Sequence, residues 1–143
     1  MSELIGERSV RTLAWLGDAE FEREVRMRLA RRGDYPTDRL HAMKALVVCA
    51  EAQAQLLAAI EAGLDEVEAG VVRRARNLSH KGGGRGVRSV RDYRAATALE
   101  ALVGHWCFSV ADGRERLAAV VIPWIEARID AAVTSASQAV RRG

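Results

Sequence analysis

Two acidic side chains of this 143-residue chain stand in runs that hold almost no other polar group. Glu100 lies in Ala98-Leu99-Glu100-Ala101-Leu102-Val103, and Asp18 lies in Leu13-Ala14-Trp15-Leu16-Gly17-Asp18-Ala19. Taking an ionised carboxylate out of water is expensive unless it is paired or binds a metal. A buried ion pair with an arginine, or one exposed helix edge, would account for either acid alone. The two together, one on each side of a basic segment, suit divalent-metal chemistry on a phosphate backbone. Mg²⁺ takes oxygen ligands, commonly one or two carboxylates completed by substrate phosphate and water. Glu22 follows Asp18 by four residues and shares its helix face. It is either a further ligand or a group behind the ligands, or else a surface acid paired with Arg26.

The basic segment is residues 73–94. Arg73, Arg74, Arg76, Lys81, Arg85, Arg88, Arg91 and Arg94 stand there against the single acid Asp92, a net charge of +7. The whole chain carries +3, which leaves −4 for everything else. A basic block on an otherwise acidic domain is an electrostatic footprint for a polyanion. A solvated charged loop is the competing account. His80 lies inside the block and could touch phosphate or stand in solvent. His41 and His105 read as structural helix residues. Trp15, Trp106 and Trp124 fall at helical spacing and read as core or dimer packing.

These groups need helices to position them. Alanine accounts for 25 residues and proline for 2, which favours helix. The 3.6-residue periodicity predicts a first helix from Val10 to Ala30, with Leu13, Leu16, Phe21, Val25 and Leu29 on its apolar face. A second helix runs from Asp38 to Ala62 behind a Thr37 cap, with Leu40, Met43, Leu46, Val47, Leu57 and Ile60 facing inward. A third begins at an Asp65 cap and reaches Asn77. After the glycine-rich stretch 78–86, a fourth runs from Val90, capped by Ser89, to Val110. Asp112-Gly113 breaks it, and a fifth runs from Arg114 to Val133 with a kink at Pro123. The tail 134–143 is expected to fray. Cys49 and Cys107 sit in apolar patterns and read as small core residues of a reduced protein. No apolar run is long enough to span a bilayer, no zinc-type cysteine spacing occurs, and the charged start MSELIGERSV is not expected to be a secretory signal.

The motifs also match a family. Leu16-Gly17-Asp18-Ala19 with Glu22 resembles the ribonuclease III stretch that supplies a catalytic aspartate. Glu100-Ala101-Leu102-Val103-Gly104 resembles the stretch that supplies its catalytic glutamate. The nearer likeness is to Mini-III, the short ribonuclease III subfamily without a double-stranded-RNA-binding domain. Leu40-His41 leading into Ala50-Glu51-Ala52-Gln53-Ala54 fits its second helix. Arg73-Arg74-Ala75-Arg76-Asn77 resembles its Arg-Gly-Arg-Asn stretch, and Tyr93-Arg94 precedes Thr97-Ala98-Leu99-Glu100 as in that subfamily. The resemblance spans about Leu13 to Glu115. Full-length members carry further acids where this chain has Ala14 and Thr97, a reduction that Mini-III shares. Ala75 replaces the subfamily's glycine, and Gly82-Gly83-Gly84 replaces its more polar loop.

The resemblance implies an all-α, single-domain ribonuclease III-type fold over about residues 10–133, working as a homodimer. It implies an endoribonuclease that cuts double-stranded RNA, dependent on Mg²⁺ with Mn²⁺ as a substitute, leaving 5′ phosphate and 3′ hydroxyl ends. Asp18 and Glu100 would be catalytic and hold the metal, with Glu22 nearby. Arg73, Arg74, Arg76, His80, Lys81, Arg85, Arg88 and Arg94 would follow the RNA backbone. The implied setting is maturation of precursor large-subunit (23S) ribosomal RNA in the cytoplasm. The alternatives are an inert ribonuclease III-like domain that binds RNA at ribosomes, and a helical protein-interaction module.

Overall fold

The computed structural model describes residues 4–78 and 87–142. Among these residues the regular structure is helical: α1 (Val10–Arg32), α2 (Thr37–Val48), α3 (Ala50–Ile60), α4 (Glu66–Arg76), α5 (Val87–Phe108), α6 (Gly113–Val120) and α7 (Ile122–Arg142), with a short 3-10 turn, Glu61–Gly63, after α3. Helix α5 is the axle. From Ala98 to Cys107 it is buried almost all round, and α1, α3, α4 and α6 pack on it. An apolar surface on every side is what lets one helix serve as the core for its neighbours.

The tightest packing is where α1 crosses α5. A Cβ placed on Gly17 would lie 1.6 Å from the carbonyl oxygen of Glu100, and one on Gly104 would lie 2.0 Å from that of Leu13. Two glycines, one per helix, therefore bring the backbones into contact. The same contact fixes the height of Asp18, next to Gly17, against Glu100.

Helix starts follow local chemistry. The Ser9 Oγ accepts from the Thr12 backbone N–H at 3.3 Å and opens α1. Asp65 opens α4 as the sequence predicts, within a reciprocal capping box: Glu68 N–H donates to Asp65 Oδ1 at 2.8 Å, and Asp65 N–H donates to Glu68 Oε1 at 2.9 Å. Glu68 also accepts from Trp106 Nε1 at 2.7 Å and from Arg116 Nε at 3.0 Å, joining α4, α5 and α6. Burial raises the pKa of Glu68, but the bonds from Arg116, the Asp65 backbone and Trp106 outweigh it and hold the carboxyl down at about 2.

Several boundaries differ from expectation. The single helix expected over 38–62 is two helices, bent by 41° at Cys49, whose ψ of 156° is extended. The Gln53 Nε2 donates to the Val48 carbonyl at 2.9 Å, a side-chain bond to the backbone at the kink. Thr37 lies inside α2 and Pro36 holds the cap position without a side-chain bond. Helix α5 already begins at Val87, so Ser89 is within it. The expected kink at Pro123 is instead a break at Val121. Pro123 is the second residue of α7, in the first turn, where a missing N–H costs nothing. Helix α7 continues to Arg142 rather than fraying after Val133, and Val133 and Ala136 pack against the core. Cys107 is buried as expected, while Cys49, at the kink, is exposed.

Candidate active site

The α1–α5 crossing brings Asp18 and Glu100 together. Their carboxyl groups are hydrogen-bonded, with Glu100 half-buried and Asp18 exposed. Asp18 is thus not the buried acid that its apolar neighbours suggest: it stands on the rim of α1, where Gly17 rather than Asp18 makes the inward contact. Burial, then the hydrogen bond and negative charge of Asp18, push the Glu100 carboxyl up to about 9, and Glu22 adds to the rise. A hydrogen bond from Gln53 opposes these effects. Metal-free, the pair therefore keeps a proton on Glu100 at neutral pH.

Glu22 lies one turn beyond Asp18, within electrostatic reach of Glu100. Its Oε1 accepts from Lys44 Nζ at 2.8 Å and is 3.6 Å from Arg26. The Lys44 bond is the main cause holding its pKa down. Of the two expectations for Glu22, the structure shows the ion pair with Arg26, with Lys44 closer still, and beyond that only the effect of its charge on Glu100. Among the described residues no group of three His, Cys, Asp or Glu side chains is placed to hold a metal ion. The site is a two-carboxylate site. Its donors are hard oxygens, the set that Mg²⁺ and Mn²⁺ take, and water and phosphate would complete the shell. The fit to a hydrated divalent cation is good on donor chemistry, because two converging carboxyls have no base between them in the groups that act on Glu100.

Sequence reasoning missed Gln53. It is 4% exposed, and its Oε1 is buried without a hydrogen-bond partner. The available signal was the one that exposed Glu100, a polar residue inside an alanine- and leucine-rich helix face. Lys44 was also missed; its partner is in another helix, which spacing along the chain does not reveal.

The basic window divides. Arg76 and Arg94 share an open groove with Arg91 and Asn77, and Arg76 Nη1 donates to Glu61 Oε1 at 2.8 Å. Arg74 lines a different groove beside Arg8, Val67 and His105, while Arg73 is exposed on α4. Arg91 precedes Glu100 by nine residues, about 13 Å along α5 and half a turn round it. Of the groove arginines, Arg91 is thus turned away from Glu100, whereas Arg94, six residues before Glu100, is about a third of a turn from it. His80, Lys81 and Arg85 lie outside the described residues, as does the side chain of Arg88. His105 is buried and its pKa is lowered by that burial. His41 is exposed on α2. Trp106 is core, Trp124 is half-buried, and Trp15 is 75% exposed, so it does not pack in the core of this chain.

Known proteins resemble this chain in sequence and fold. The ribonuclease III domain family matches residues 11–109. A Mini-ribonuclease 3 of Desulfitobacterium hafniense is 44% identical over 100 residues, which are 70% of this chain and 62% of that protein. One from Symbiobacterium thermophilum is 41% identical over 77% of this chain and 82% of its own length, and one from Brevibacillus brevis is 38% identical over 76% and 79%. A crystal structure of a Fusobacterium nucleatum protein superposes with a TM-score of 0.69 at 29% identity, covering 92% of this chain and 98% of that one. The aspartate-bearing and glutamate-bearing stretches both fall inside the matched region, on the two helices that cross at Gly17 and Gly104, and the chain belongs to the ribonuclease III family of endoribonucleases.

Proposed function

We propose that this chain cuts double-stranded RNA with a divalent cation, Mg²⁺ or in its place Mn²⁺, held by Asp18 and Glu100. The observation that carries this reading is the meeting of those two carboxyls at the α1–α5 crossing in a ribonuclease III-family chain. When bound, such an ion supplies an activated water and neutralises charge on the phosphate. Asp18 and Glu100 fix its place relative to the rigid crossing. Glu100 must give up its proton to do so, which makes binding pH-dependent. Lys44 holds Glu22 aside, one turn further along α1. The products carry 5′ phosphate and 3′ hydroxyl ends.

In this reading the enzyme is a cytoplasmic homodimer that presents two such sites to the two strands of a duplex, and its substrate is precursor 23S ribosomal RNA. Trp15, three residues before Asp18 and 75% exposed, supports a partner surface beside the site. Arg76, Arg91 and Arg94 offer a backbone-binding groove, and A-form RNA is recognised largely through shape, phosphate and 2′-hydroxyls.

The test is incubation of a long RNA duplex with the protein in Mg²⁺, with EDTA and Asp18→Asn as controls. Metal-dependent cleavage with 5′-phosphorylated ends is expected. Duplex binding without cleavage in either metal would overturn the catalytic reading in favour of an inert RNA-binding domain. Sedimentation at micromolar concentration checks the dimer, and a monomer alone would refute it.

A further inference from the structure

Among the described residues, Gln53 is the one buried polar side chain that meets the carboxyl pair from a third helix. Its surroundings fix it closely. The Cys49 kink places the Val48 carbonyl beside Gln53, and Gln53 Nε2 donates to it at 2.9 Å. The same amide hydrogen-bonds Glu100. One N–H is thus tied to the kink and the amide is also tied to the site. Oε1 is left as a buried acceptor with no partner, in a residue that is 4% exposed. Buried acceptors are normally satisfied, and one that is not points to a group absent from the chain itself.

We propose that Gln53 is a positioning residue of the cation site: its N–H holds the Glu100 carboxylate in the ligating orientation, and its Oε1 accepts from a water of the cation's shell. This rests on the reading of Asp18 and Glu100 as cation ligands. The stoichiometry suits it. Two carboxylates leave most of an octahedral Mg²⁺ shell to water and phosphate, and each bound water is a strong donor that needs an acceptor. Lys44 and Arg26 both engage Oε1 of Glu22, which leaves that carboxylate only its Oε2 to accept from a bound water. Gln53 is uncharged, so it accepts from a bound water without adding a third negative charge next to Asp18 and Glu100. The kink then has a role: it ties down one end of the amide so that the other end has a fixed aim.

The experiment measures cation binding directly on the full chain. Mn²⁺ titration followed by electron paramagnetic resonance is run on wild type, Gln53→Met and Asp18→Asn. Gln53→Met keeps length and removes both amide functions. Loss of a group that supports metal ligands typically weakens binding 10- to 100-fold, and that range is expected for Gln53→Met, calculated per folded molecule. In cleavage assays kcat should fall with little change in KM for the duplex. A purely structural role would lower the unfolding temperature and leave Mn²⁺ affinity within twofold of wild type, and that result overturns the proposal. Wild-type protein supplies a second measurement that needs no variant: on Mg²⁺ titration the Gln53 side-chain amide resonances should shift with the same midpoint as the Asp18 backbone. No shift at saturating Mg²⁺ overturns the proposal as well. Asp18→Asn separates the two claims. If it loses Mn²⁺ while Gln53→Met keeps it, only Gln53 is misassigned. If Asp18→Asn binds Mn²⁺ as wild type does, the cation site itself is misread.

Discussion

Replacing Glu100 with glutamine should stabilise the metal-free protein while destroying its activity, and the size of the gain should follow pH. The Glu100 carboxyl has an ordinary pKa of 4.5 and sits at about 9 in the fold, pushed there by burial and by Asp18. Between those values the native chain holds a proton that the unfolded chain releases. Wild-type stability therefore falls as pH rises from about 4.5 to about 9. At pH 7 the full shift would amount to about 3.4 kcal/mol, from 2.5 pH units at 1.36 kcal/mol each. Glu100 is only half-buried, so solvent screening reduces this to roughly 1–2 kcal/mol. Glutamine keeps the shape and never ionises, so it escapes the cost. For a chain of this size that is a rise of roughly 2–8 °C in unfolding temperature at pH 7. The gap should shrink towards zero near pH 4.5 and widen towards pH 9. Circular dichroism melts in EDTA across that range measure it directly. Saturating Mg²⁺ should reverse the order, because a ligand at 100 times its Kd stabilises wild type by about 2.7 kcal/mol and leaves the variant unchanged. A temperature gap that does not vary with pH in EDTA would refute the reasoning.

Three further outcomes follow from the same geometry. Asp18→Asn, at an exposed position, should leave the unfolding temperature almost unchanged while duplex cleavage disappears; near-wild-type turnover in a gel assay would contradict the pairing with Glu100. Gly17→Ala must force α1 away from α5, since its Cβ would lie 1.6 Å from a carbonyl oxygen, and should cost at least about 3 kcal/mol in urea unfolding. Glu68→Gln should destabilise by up to about 3 kcal/mol at pH 7, because Glu68 is held at about 2 and its stabilisation is present above pH 4.5 and lost as pH falls through 2. Acid melts should show that difference closing by about pH 2.

The helices and the family motifs were legible because they rest on local rules. The Asp65 cap, the inward stripe of α1 and the apolar heart of α5 all follow from periodicity and short-range hydrogen bonding. What the sequence hid depends on contacts between helices. Periodicity places Leu46 inward, yet it is 56% exposed while Met43 and Val47 of the same helix are buried, because α2 ends at Cys49 and the chain beyond it leaves at 41°. Asp18 looked buried because its neighbours are apolar, yet the close approach is made by Gly17, and one residue of rotation moves Asp18 to the rim. Trp15 belongs to the same exposed side. The break at Val121 was hidden behind Pro123, the more obvious punctuation, which falls where a helix tolerates it.

Glu68 and Glu100 make the separation of fold from function concrete. Glu68 packs against the central helix from α4 and Glu100 belongs to that helix, and both are raised by burial. Glu68 receives Arg116, Trp106 and a backbone N–H, and ends near 2 as a fixed anion that locks three helices. Glu100 receives Asp18 and the charge of Glu22, with only Gln53 to ease it, and ends near 9. Lys44, the base nearest Glu22, is bonded to Glu22 and is not among the groups that act on Glu100. A chain selected for stability alone would have exchanged Glu100 for an apolar residue or brought Lys44 across to it. Keeping an acid against another acid, at a crossing that two glycines hold rigid, makes sense when the missing positive charge arrives from outside. On the reading proposed above, that charge is a hydrated divalent cation held by the two carboxyls, with the spare oxygen of Gln53 accepting from one of its waters.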